Sequence, residues 1–298
     1  MKFIYPAALL AMTAPSFAST ALAQEVDKPS VPQGTAEPRA APTKPITVSG
    51  SVAVLTDYRL RGVSQSDRNP AVQGSLTIAH ESGLYVGTFA SNLAGWGTFG
   101  GSNLELDAIG GFRRSVGSAT IDAGLTWYMY PGGADKTDYA EAFAKLSGTV
   151  GPATLLAGIA YAPKQEALGK WYLNGTEAAA GTYSDPGDRK DNLYLWGDGA
   201  IAVPNTSVTA KAHIGWSKGN NGLGPNATSV APTGEYWDWQ LGADYAIRGT
   251  PLTINVSWIG TDIARREAAY LQPSFSKGQD GSGSIAGSTI FASLTAAF

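Results

Sequence analysis

Two histidines, His80 and His213, and no cysteine set narrow limits on the chemistry open to this 298-residue chain. Without Cys there is no thiol nucleophile, no disulfide framework and no Cys-ligated metal or iron–sulfur site. Two His do not make a multi-His metal centre, so neither a metal nor a cofactor is expected. A hydrolytic site would need a His beside a Ser or Asp. His80-Glu81-Ser82 has that composition but falls at a short turn. Around His213, Lys211 and Gly215 share its strand face, whereas Ser217 is read as lying off it. No catalytic residue is assigned, and the chain is expected not to be an enzyme.

The remaining chemistry is electrostatic. Glu105, Asp107, Asp122, Glu141, Lys145, Asp198, Lys211, Asp238 and Asp244 alternate with apolar neighbours. Arg59, Arg61 and Arg68 cluster in one connecting segment, and Arg113 stands apart. Such charges, gathered on one face, either line an aqueous path and bias which ions cross it or pair with each other inside a filled interior. The excess of acids favours cations in the first case. Gly62 beside Arg61 permits a tight turn. That turn either folds inward, bringing Arg61 against Glu105, Asp107 or Glu141 as a constriction, or leaves Arg61 solvated. His213 belongs with the same set of lining residues.

Placing these side chains requires strands. Ile46, Val48, Val52 and Val54 alternate with Thr47, Ser49, Ser51 and Ala53, a period of two. Twelve such segments run at 46–57, 69–80, 83–92, 103–113, 117–129, 138–148, 152–162, 190–201, 205–217, 235–247, 251–262 and 284–298. Their length suits a tilted membrane-crossing strand of about 9–11 residues better than the soluble average of about five or six. In 83–92 and 138–148 the facing is ambiguous. Connections alternate between short and long, which is how outer-membrane barrels are built. Trp127, Tyr161, Trp216, Trp237 and Trp258 fall at the long-loop ends of their strands. Phe112, Tyr245 and Phe298 fall at the other end. Two such rings are expected at the two membrane–water interfaces. The expected fold is therefore an all-β, transmembrane, antiparallel up-and-down β-barrel of about twelve strands. An open edge is too costly in lipid, so the first and last strands must pair.

Composition agrees. Charged residues make up 15% of the chain against an average near 25%, because half of each strand faces lipid. Net charge is −3 with no basic block, so nucleic acid is not an expected partner. Residues 1–23 carry Lys2, an apolar run and the small-residue sequence Ala21-Leu22-Ala23, which reads as a signal peptide cleaved near Ala23. Residues 24–45 form a Pro-rich flexible leader, and 46–298 the barrel.

Asp57-Tyr58-Arg59-Leu60-Arg61-Gly62-Val63-Ser64-Gln65-Ser66 resembles the D-Y-x-x-R-G-x-S-Q stretch of the TorF porin family of proteobacteria. Pro70–Gly74, Gly110–Arg113, 128–133 and 138–142 extend the similarity, which covers most of 46–298 and fades in the long loops 163–189 and 219–234. Arg59 stands where that family tends to be apolar. The resemblance implies an outer-membrane channel. The function expected from all of this is passive diffusion of small hydrophilic solutes. The alternatives are a non-conducting barrel for adhesion or anchoring and, less favoured, an outer-membrane hydrolase. Expected partners are outer-membrane lipids, lipopolysaccharide and the barrel-assembly machinery, reached through the strand ending at Phe298.

Overall fold

The computed structural model describes residues 45–94, 101–224, 233–269, 271, 277 and 282–298. The expected signal peptide, nearly all of the leader and part of the 219–234 loop lie outside them. The described strands are β1 (Ile46–Leu55), the two-residue β2 (Arg59–Leu60) and β3 (Val63–Ser64), β4 (Ala71–His80), β5 (Leu84–Asn92), β6 (Leu104–Val116) and β7 (Ala119–Met129). They continue with β8 (Tyr139–Val150), β9 (Ala153–Gln165), β10 (Lys190–Ala202), β11 (Val208–Lys218), β12 (Glu235–Ala246), β13 (Leu252–Thr261) and β14 (Thr289–Ala297).

All but β2 and β3 form one closed antiparallel barrel of twelve strands, each paired with its chain neighbour. β1 pairs with β4 on one side and with β14 on the other, from Ser51 opposite Ala297 to Leu55 opposite Ser293. Every backbone edge is thereby satisfied, which hydrocarbon surroundings demand. No helix among the described residues is long and apolar enough to cross a membrane.

The period-two pattern dictates the two faces. Val52, Val54, Ile121, Leu125, Ile159, Leu241 and Val256 point outward and are exposed, while Ser51, Ala53, Glu105, Asp107, Asp238 and Asn255 point inward and are buried. The two ambiguous strands resolve the same way. In β5 the odd positions Phe89 and Ser91 face in, and in β8 Tyr139 and Glu141 do. Short turns occupy 81–83, 117–118, 151–152, 203–207 and 247–251, all at one end, and every longer connection is at the other.

A strand start and a facing differ from the sequence reading. β14 starts at Thr289, not at 284. Gly283 takes a left-handed φ of +71°, and Ile285 and Ala286 turn into the barrel instead of extending along its wall. Ser217 shares the inward face with His213, since two residues an even number apart must, and it is buried.

The interior is uneven along its axis. Toward the short turns many inward side chains are small and partly exposed (Ser75, Thr77, Gly87, Gly124, Thr154, Gly242), beside the larger Tyr85, Arg113 and Lys211. Toward the long loops they are large and buried: Phe89, Tyr128, Tyr139, Tyr194, Tyr236 and Ile259. The inward side chains are therefore more exposed toward the short turns and closely packed toward the long loops.

Candidate functional site

The packing at the long-loop end comes from the segment that follows β1. Residues 57–67 fold into the barrel and are all buried. Leu60 pairs with Val63 and Arg59 with Ser64, leaving Arg61 and Gly62 as a two-residue turn. Their φ values of +50° and +77° fit the hairpin turn that needs left-handed backbone at both central positions. Gly62 also has a packing reason. A Cβ there would stand 2.5 Å from Thr261 Cγ2 and 3.0 Å from the Gly260 carbonyl oxygen. The hairpin thus reaches from β1 across the lumen to β13.

Asp57 ties the base of this hairpin. Its Oδ1 accepts from Ser64 Oγ at 2.5 Å and Ser66 Oγ at 3.0 Å, and its Oδ2 accepts from Arg59 Nε at 2.8 Å. Arg59 also donates to the carbonyls of Gly62 (2.8 Å), Gly287 (3.0 Å) and Ser284 (3.0 Å). This explains the inward turn before β14: its carbonyls receive a buried guanidinium, which must be fully hydrogen-bonded to be tolerated. Tyr58 donates to Glu105 Oε1 at 2.6 Å, and Tyr130 reaches Oε2 at 3.4 Å.

Arg61 is 2% exposed. Its Nη2 donates to both oxygens of Glu141, at 2.8 and 2.7 Å. Its guanidinium carbon lies 4.2 Å from the centroid of the Tyr194 ring. With the Asn192 amide turned so that its oxygen faces Arg61, that oxygen accepts from Nη1 at 2.6 Å, and the amide nitrogen donates to the Lys218 carbonyl at 3.1 Å. Tyr128 donates to Glu141 at 3.3 Å and stacks on Tyr139 with centroids 4.5 Å apart. Of the three acids considered for Arg61, the structure brings Glu141 to it. Glu105 goes to Tyr58, and Asp107 is buried one pleat further along β6.

Beneath Tyr194 lies a second cluster. The Tyr194 hydroxyl is 2.9 Å from His213 Nε2 and 3.2 Å from Asp238. His213 stands between Asp198 (Nδ1, 2.7 Å) and Asp238 (Nε2, 3.0 Å). Gly215 makes this possible, since a Cβ there would fall 2.1 Å from the Tyr194 hydroxyl.

Toward the short turns the charges are also matched. Arg113 and Tyr85 both bind Asp122, at 2.8 and 2.7 Å. Lys211 pairs with Asp244 at 3.2 Å, and Asn255 donates to the same carboxylate at 2.6 Å. Lys145 Nζ sits 4.3 Å over the Phe143 ring, in register with Asp122. The proposed lining residues are therefore distributed over three levels and do not meet at one point. Among the described residues no group of His, Asp and Glu is arranged to hold a metal ion.

On the outer face, Trp127, Tyr161, Trp237 and Trp258 are exposed near the long loops, with Trp216 directly opposite Trp237. Phe112, Tyr245 and Phe298 are exposed near the short turns. Sequence reasoning missed Tyr194, Asn192 and Asp57. The parity of β10, whose odd positions Leu193 and Leu195 are apolar and outward, would have put Asn192 and Tyr194 inside. Nothing local marks Asp57 as a hub.

A family model described as "Bacterial protein of unknown function (Gcw_chp)" matches residues 39–298. No curated protein matches the chain. Among solved structures, the NanC porin is similar at 10% identity over 84% of this chain and 98% of its own, with a TM-score of 0.49. An outer membrane channel from Pseudomonas putida F1 gives 10% identity, 84% and 95% coverage, and a TM-score of 0.41. The translocator domain of the autotransporter NalP from Neisseria meningitidis gives 9% identity, 85% and 86% coverage, and a TM-score of 0.37.

Proposed function

The chain belongs to the Gcw_chp family of bacterial proteins, and from that premise we propose that it is an outer-membrane channel for passive diffusion of small hydrophilic solutes. The observation that carries this reading is the closed barrel whose outer face is apolar and whose inner face holds acidic and basic side chains at three levels. An Arg or Lys on the lipid side would cost about 2–4 kcal/mol at the midplane, and an Asp or Glu somewhat less. Charges kept on the inner face require water or partners there, and the partly exposed short-turn half has both. The β2–β3 hairpin narrows the other half. The acid excess of the wall favours cations over anions.

The closer placement among TorF porins rests on residues 57–66 and is part of the proposal. So are cleavage near Ala23, contact of the aromatic bands with outer-membrane lipids and lipopolysaccharide, and recognition of the Phe298 strand by the barrel-assembly machinery. We propose no catalytic role, since the ring nitrogens of His213 are engaged by Asp198, Asp238 and Tyr194. A second reading, a non-conducting barrel for anchoring or adhesion, draws on the complete burial of residues 57–67 inside the lumen.

Planar-bilayer recording separates the two. The channel reading expects small, stable current steps and a reversal potential on the potassium side in a KCl gradient. Absence of current at every voltage overturns it in favour of anchoring. Equal potassium and chloride permeability removes the cation preference alone.

A further inference from the structure

The surroundings of Arg61 have the composition of a receptor for its own side chain. A guanidinium is planar and weakly hydrated, and it binds best between a carboxylate in its plane and an aromatic ring against its face. The lumen wall supplies both, from strands to which the hairpin is not hydrogen-bonded as a sheet. Glu141 on β8 takes Nη2, Asn192 on β10 takes Nη1, and Tyr194 on β10 lies under the plane. Tyr128 orients Glu141 from the side. All four wall residues are buried. Asp238, hydrogen-bonded to Tyr194, and Asp198 beyond it keep the neighbourhood acidic, with His213 between them. The pocket is thus built by the barrel, whereas its occupant arrives from a two-residue turn.

We propose that this pocket is a guanidinium-binding site, filled in this conformation by Arg61, and that small solutes carrying a guanidinium group compete with Arg61 for it. This names a substrate class for the channel reading and rests on that reading for its place in transport. The binding event itself does not depend on conduction. When Arg61 is shortened, the carboxylate, the amide oxygen and the ring face remain, and a free cation of the right shape restores the lost contacts.

The test uses the full-length protein folded in detergent, with Arg61→Ala and the double change Arg61→Ala/Glu141→Gln. Guanidinium chloride is titrated to about 20 mM, far below denaturing concentration. Potassium chloride serves as the ionic control, and urea as a neutral planar control of the same shape. Binding is read from Tyr and Trp fluorescence and from the thermal unfolding midpoint. Arg61→Ala is expected to give a saturable response to guanidinium and none to potassium or urea. Wild type, with the site filled, should respond at least tenfold more weakly. The Glu141→Gln change should weaken the response about tenfold or more, since a charge-assisted contact is lost. Should Arg61→Ala fail to fold, Arg61→Gln carries the same expectation. A response equal for guanidinium, potassium and urea, or one unaffected by Glu141→Gln, overturns the proposal. Conduction by wild type without any guanidinium binding by the variant sinks this inference and leaves the channel reading standing. Binding without conduction does the reverse.

Discussion

Glu141 holds Arg61 from across the lumen, and both are almost completely removed from water. Breaking such a pair by removing one charge typically costs about 3–5 kcal/mol, because the other is left buried and uncompensated. Glu141→Gln is therefore expected to loosen the hairpin and raise single-channel conductance, whereas Lys211→Gln, at the partly exposed Asp244 pair, should change it little. Gly215 is constrained by close approach. Gly215→Ala drives a methyl into the Tyr194 hydroxyl and Asp238, and overpacking of this kind costs about 1–3 kcal/mol. A lower unfolding midpoint in detergent is the expected result, and an unchanged one would show that Tyr194 yields freely. At this scale the sequence was only partly legible. Parity put Glu105, Asp107 and Glu141 inside, but which acid meets Arg61 depends on strand stagger and on how far the turn reaches. Neither is encoded locally. Tyr194 does not stand out in the sequence although its strand parity is clear, because a ring that could lie against a charge carries no charge of its own.

The elements divide into a wall that folds by alternation and segments that fold by filling it. All twelve wall strands were readable because one residue in two must be apolar on the lipid side. The turn at Arg61-Gly62 was readable from Gly62, but residues 282–288 were not. Their Gly, Ser and Ile resemble a strand start, and their true role is to offer carbonyls to Arg59, more than 220 positions away. The hairpin contributes no pair to the wall, so a chain lacking residues 58–65, bridged by a short Gly linker, is expected to fold with unchanged β content by circular dichroism. The long connection after β9 has an independent device. Asn174 caps a short helix α1 (Gly175–Ala180), and Glu177 accepts from Ser184 and from the Leu173 N–H. The Ser184 hydroxyl first, then the Leu173 amide, hold the Glu177 carboxyl below its ordinary range. A carboxyl depressed on folding stabilises above its unfolded pKa, and that contribution is lost as pH falls through the folded one. Trp171, whose ring meets Tyr183 edge-on, should report loosening of this loop by fluorescence below the ordinary Glu range. Glu177→Gln should abolish that pH dependence.

For the whole molecule, the low charge content and the absence of Cys describe a fold stabilised by closure. On the proposed reading, lipid covers the apolar outside in place of a conventional core, and polar pairing fills the inside. The outer band makes a direct expectation. Leu241→Arg, midway along β12 and on the outer face, should cost about 2–4 kcal/mol in lipid-vesicle unfolding, and Thr77→Ser on the partly exposed inner face of β4 should cost far less. The total number of strands, the sorting of loops and the exposed aromatic bands were all present in the amino-acid order. The filled long-loop half was there only as one of two alternatives for the Arg61-Gly62 turn, since it arises from a loop returning to a space that only exists once the barrel has closed. That filling is central to the functional reading, because it makes the hairpin the element that sets the width of the path. Single-channel recording of wild type beside the chain lacking residues 58–65 examines this most directly. The expected result is small cation-favouring steps from wild type and steps several-fold larger from the shortened chain. Silence from both, or identical conductance in the two, would contradict it.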